Sequence, residues 1–271
     1  MYRKIDTIIK KISSTFRNIF KSFLRMNFTK KFFITYFGCW ISFLSVILLS
    51  KILVFLSSLL IPSHPESVIK TVEYIATKKF EVVSSSVTTH VGHSYLSLVL
   101  PYFINNSLSC IAILLAYILV AYLYRREVKR DPNAREDYIN ALILFYLITV
   151  INPLTGALGY NINIEYLPVV IPHGIFEFAG LALSIVTGLT VAERILPVEN
   201  SKFYNEVKGI FSRDIILKIL TALAFIGLAA FLEPLDWIIY QYSIYYNLNV
   251  IEVLFKTYIN LLKFLISLIR L

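Results

Sequence analysis

Five stretches of this chain are almost free of charge over the length a helix needs to cross a bilayer. They are Phe32 to Ser50, Leu96 to Tyr124, Tyr138 to about Ile162, Val169 to Ala192, and Ile215 to Leu232. At 1.5 Å rise per residue, ~20 apolar residues span a hydrocarbon core ~30 Å thick. A sixth stretch, Val250 to Leu271, is long enough but carries a polar stripe of Glu252, Lys256, Asn260, Lys263, Ser267 and Arg270. The chain has 271 residues, 57% hydrophobic and only 16% charged, with mean hydropathy +0.70. That is more apolar surface than one water-soluble core can hide. The expected fold class is all-α, a polytopic transmembrane helix bundle of five or six spans. They lie near 32–51, 101–124, 138–160, 172–193, 214–233 and 250–271, and residues 1–31 form a separate in-plane amphipathic helix.

The net charge of +9 is largely that N-terminal arm, where nine lysines and arginines from Arg3 to Lys31 face a single acid, Asp6. Its Ile5, Ile8, Ile9, Ile12, Phe16, Ile19, Phe20 and Phe23 recur at helical spacing with the basic residues on the other face. Such a helix lies in the plane of the membrane, so its expected partner is the lipid bilayer and not nucleic acid. It is no secretory signal, because a full-length span follows it. Basic residues concentrate on the cytoplasmic side of membrane proteins. Arg125, Arg126, Lys129, Arg130 and Arg135 follow the second stretch, and Arg194, Lys202, Lys208 and Arg213 follow the fourth. The intervening connections, apart from Lys70, Lys78 and Lys79 in the first, carry none. The pattern predicts a multi-pass cell-membrane protein with its N-terminus in the cytoplasm.

Counting depths brings the scattered polar residues into one layer in the outer half of the membrane. His173 opens the fourth stretch and Glu177 sits one turn deeper on the same helical face. Glu233 closes the fifth, Asn105 and Asn106 head the second, Lys51 ends the first, and Asn152 with Pro153 interrupts the third. Ionisable groups at membrane depth are costly and therefore functional candidates. From Asn152 to Pro172 the chain has two glycines and three prolines, and irregular backbone at that depth must be buried by protein or line a cavity. Pro172 suits the first turn of the fourth helix, whose positive end would then face the cavity. Cys39 and Cys110 lie at different depths, so no disulfide between them is expected.

The run Leu167-Pro-Val-Val-Ile-Pro-His-Gly-Ile-Phe-Glu-Phe-Ala-Gly180 resembles the signature of the stage II sporulation protein M family, in which Pro-His-Gly-x-x-Glu opens a transmembrane helix. Phe103 to Asn106, Gly156 to Gly159 and Ala229 to Glu233 are weaker matches in the same order, and Phe178-Ala179 departs from the small residue usual there. The resemblance, over roughly Tyr102 to Trp237, implies a polytopic subunit of a membrane-remodelling assembly and no reaction.

Two other architectures compete. An in-plane helix and six spans also describe the permease half of an ABC-type exporter. Pro234 to Tyr242 would be its re-entrant outer element, and Arg125, Arg126, Lys129 and Arg130 its contact for a separate cytoplasmic ATPase. Alternatively, His173, Glu177 and Glu233 could hold a metal in an intramembrane hydrolase, although no second histidine joins them. His90 and His93, three apart in the first outer loop, could also ligate a metal, although such loop pairs are more often solvated. No nucleophile beside a base is evident. The expected function is therefore non-enzymatic, with neither cofactor nor metal. The polar layer would bind a partner segment, a lipid headgroup or a transported group, and the stripe on the last helix would find cover in a homodimer or other membrane subunits.

Overall fold

The computed structural model describes residues 14–60, 81–87, 89, 91, 94–151, 166–198 and 212–269. Among these the chain is all-helical, with no strand. The six long helices are α1 (Phe28–Leu60), α2 (Tyr95–Val128), α3 (Ala134–Ile151), α4 (Leu167–Ile195), α5 (Arg213–Tyr245) and α6 (Val250–Ile269). Residues 14–24 are also helical. By length and composition α2, α4 and α5 can cross a membrane. In α2 and α5 only 28% of the most apolar window is buried, against 78% in α4. A helix that is apolar all round and covered by protein forms a core, whereas the exposed faces of α2 and α5 suit lipid.

The helix ends follow from local chemistry. The Asn27 side chain caps α1 by accepting from the amide of Lys30 at 2.9 Å. α5 stops where Asn247 adopts a left-handed conformation with φ of 51°. There the Leu248 amide reaches back to the Ser243 carbonyl at 2.8 Å, which closes a Schellman turn. Two residues later the Asn249 side chain accepts from the amides of Ile251 and Glu252 at 3.0 and 3.2 Å and starts α6. So short a connection folds α6 back along α5.

Two findings revise expectations drawn from proline. Pro172 is not in the first turn of its helix: α4 begins at Leu167, and Pro168 takes that place. The helix therefore runs on through Pro172, and the end of its dipole lies more than a turn from His173. Likewise Pro234 does not open a re-entrant segment, because α5 continues through it to Tyr245. A proline removes one ladder hydrogen bond and kinks a helix, but packing on either side can carry the helix across it.

The chain divides into two compact units. The first comprises Met1–Ser45, Leu108–Thr155 and Phe178–Leu223. Its core is built around α4, where Tyr117 of α2 lies so close over Gly188 that a Cβ there would meet the ring at 2.7 Å. Tyr117 is fully buried, and its hydroxyl pairs with that of Thr149 at 2.9 Å. Phe178, the departure from the small residue of the resembled signature, is buried against Trp40, with ring centroids 4.6 Å apart, and against Phe43. Buried Lys31 donates to Glu193 at 3.2 Å and to the Leu24 carbonyl at 3.3 Å. In the N-terminal segment Phe20 and Phe23 pack their rings at a tilt against Tyr146, Arg17 pairs with Glu136 at 2.5 Å, and Phe16 and Ile19 remain exposed. The apolar face of this segment is thus divided between protein and surroundings.

The second unit comprises Val46–Ser107, Gly156–Glu177 and Ala224–Leu271. Tyr166, ahead of α4, packs on Trp237 and Tyr240 of α5 with ring centroids 5.8 and 5.3 Å apart. The Tyr95 hydroxyl of α2 donates to the Phe231 carbonyl of α5 at 2.5 Å. α6 docks through Leu254 and Tyr258, while Glu252, Lys256, Asn260 and Lys263 of its polar stripe stay exposed.

Candidate functional site

The second unit gathers polar side chains from four helices at one place. His173 of α4 is 4% exposed, and its Nδ1 lies 2.8 Å from Oδ2 of Asp236 on α5. The Tyr258 hydroxyl of α6 donates to Oδ1 of the same carboxylate, which is fully buried. Both Asp236 oxygens are therefore occupied, and a chain of hydrogen bonds runs Tyr258 to Asp236 to His173. One turn along α4, Glu177 accepts from Nδ2 of Asn106 at 3.0 Å, and Asn106 in turn accepts from Nδ2 of Asn105 at 3.0 Å. Glu233, one turn before Asp236 on α5, completes the group. One potential ligand atom each from His173, Glu177 and Glu233 lie within 4.8 Å of one another. The phenol of Tyr102 on α2 lies in the neighbourhood of Glu233 and Glu177.

The local sequence explains this convergence. The spacing of His173 to Glu177 and of Glu233 to Asp236 puts each pair on one helix face. Each of the three apolar helices also carries an internal proline beside a site residue: Pro101 before Tyr102, Pro172 before His173, and Pro234 after Glu233. A buried carboxylate needs partners, because an isolated charge in an apolar interior is very costly. Among the described residues no lysine or arginine pairs with Glu177, Glu233 or Asp236. For Glu177 the compensation comes from an amide, and for Asp236 from a hydroxyl and an imidazole.

Of the residues singled out from sequence, His173, Glu177, Glu233, Asn105 and Asn106 come together here. Asn152 lies outside the described residues, as do the side chain of Lys51, at a helical position of α1, and both His90 and His93. Arg125, Arg126, Lys129 and Arg130 belong to the first unit at the end of α2 and the turn after it, with Arg126, Lys129 and Arg130 exposed. Cys39 and Cys110 are buried, free thiols. Sequence reading missed Asp236, Tyr258 and Tyr102. The three-residue spacing of Asp236 from Glu233 on a continuous helix is the signal that could have found the first.

No family model matches the chain, and no solved structure does. The chain is 36% identical over 259 residues to the uncharacterized protein MJ0096 of Methanocaldococcus jannaschii. That alignment takes in 93% of this chain and 96% of the relative, so the two agree end to end and not through one shared motif. The chain therefore belongs to the family of MJ0096.

Proposed function

We propose that this chain is a polytopic, non-catalytic membrane protein with its N-terminus in the cytoplasm, and that its polar cluster binds a group supplied by a larger membrane assembly. The observation that carries the reading is the meeting of His173, Glu177, Glu233 and Asp236 within helices that are otherwise apolar. Such groups are expensive at membrane depth and are kept where they do something. The alternation of basic connections supports five or six spans in that orientation, with residues 1–31 lying along the inner leaflet. The resemblance of the Pro172 to Glu177 region to the stage II sporulation protein M family supports a remodelling or transport assembly. The exposed stripe of α6 supports contact with a second copy or another membrane subunit.

The test uses Glu177→Gln, His173→Ala and Glu233→Gln in the native host. Each variant reaches the membrane at the wild-type level but loses the subunits or lipid that co-purify with the natural protein. If all three retain those companions and restore a deletion strain, the cluster is structural and the reading falls. A second reading, the permease half of an ABC-type exporter, is favoured by exposed Arg126, Lys129 and Arg130 at the α2–α3 turn. Recovery of an ATPase with the protein, lost on reversing those three charges, separates the two.

A further inference from the structure

We infer that His173, Glu177 and Glu233 form a binding site for one divalent transition-metal ion of the zinc class, with Asp236 and Tyr258 holding the histidine in its ligating orientation. The inference rests on the reading above that this cluster is a binding centre, and it names the ligand.

Two features separate the group from a chance gathering of acids. The first is the donor set. An imidazole and two carboxylates supply borderline nitrogen and hard oxygen, and two negative charges balance a divalent ion in an otherwise apolar setting. One potential ligand atom of each residue already lies within 4.8 Å of one on each of the others. Tetrahedral coordination at 2.0–2.2 Å needs them about 3.3 Å apart, a closure within reach of side-chain torsions in the two half-buried glutamates. The second feature is orientation. Nδ1 of the almost fully buried His173 is engaged by Asp236 at 2.8 Å, which leaves Nε2 for a metal. A ligating histidine characteristically gives its other nitrogen to a carboxylate, which fixes the tautomer and the ring plane. Here that carboxylate is itself fixed by Tyr258. Asn106 does the same for Glu177 by donating to Oε1, which leaves Oε2 for the ion. Three protein ligands leave a fourth position for water or for a group from the partner.

The experiment takes tag-free, full-length protein in detergent, strips it with a chelator, and titrates zinc against a chromophoric competitor. One zinc per chain is expected. His173→Ala and Glu233→Gln should weaken binding at least 100-fold, and Asp236→Asn 10- to 100-fold, the range found when a ligand's supporting carboxylate is changed. X-ray absorption of the zinc-loaded wild type should show only nitrogen and oxygen at 2.0–2.2 Å, a readout independent of how any variant folds. No stoichiometric zinc, sulfur in the coordination sphere, or full affinity in folded His173→Ala and Glu233→Gln would each overturn the site. If zinc fails to bind but those variants still lose their co-purifying companions, the metal falls and the partner-binding reading stands. Zinc bound through these residues with companions unaffected upholds the metal and removes that reading.

Discussion

Asp236 and His173, 63 residues apart in the chain, are joined by a hydrogen bond of 2.8 Å in which both side chains are buried. Because Tyr258 holds the other Asp236 oxygen, the last helix is tied to the same point. Replacing Asp236 by Asn should destabilise the protein by about 1–3 kcal/mol, since an amide cannot accept from both neighbours at once. Tyr258→Phe, which removes one interhelical hydrogen bond, should lose about 0.6 kcal/mol, near the mean for such bonds between membrane helices. Reversible unfolding in mixed micelles measures both, and an equal loss in the two variants would contradict the ordering.

The buried Lys31–Glu193 pair makes an asymmetric prediction. The Lys31 side chain is 6% exposed and that of Glu193 26%. Glu193→Gln leaves an ammonium in the core with no counter-charge and only neutral acceptors such as the Leu24 carbonyl, whereas Lys31→Met leaves a carboxylate that solvent can still reach. The first should lose about 3 kcal/mol and the second clearly less. Thermal unfolding of the two variants ranks them, and the reverse order would show that the lysine is satisfied mainly by the Leu24 carbonyl.

Gly188→Ala should destabilise the first unit by about 1–3 kcal/mol, because the added methyl meets the buried ring of Tyr117 at 2.7 Å. Combining it with Tyr117→Leu should return part of that loss. A double-mutant cycle with no coupling would show that the two residues do not share the space.

At the α5–α6 turn, Asn247→Val should cost about 1–2 kcal/mol by forcing a β-branched residue to φ of 51°. Asn247→Gly should be nearly neutral there. Asn249→Ala should lose about 1 kcal/mol with the cap of α6. Amide exchange along α6 provides the measurement, and unchanged protection in Asn249→Ala would mean that packing alone holds the helix.

How much of this was legible beforehand depended on the kind of signal. Helical content followed from the low-charge stretches, whose lengths leave few alternatives. The grouping of Asn105, Asn106, His173, Glu177 and Glu233 followed from counting residues along straight rods. Asp236 escaped because Pro234 was read as the end of a helix, although the helix continues through it and places Asp236 one turn after Glu233. Tyr258 escaped for a different reason. Its ring belongs with the apolar residues of α6, and only tertiary contact shows where the hydroxyl points.

Pro101, Pro172 and Pro234 carry one last implication. A framework tuned only for toughness would place alanine at these positions, gaining on the order of 3 kcal/mol at each. This one instead has interrupted backbone ladders where its acidic and imidazole groups meet, so the carbonyls of Ser97, Pro168 and Ala230 are released from their usual donors. Durability has been given up at one level of the chain for shape, and that level is where engineering for a sturdier protein would be most apt to damage its purpose.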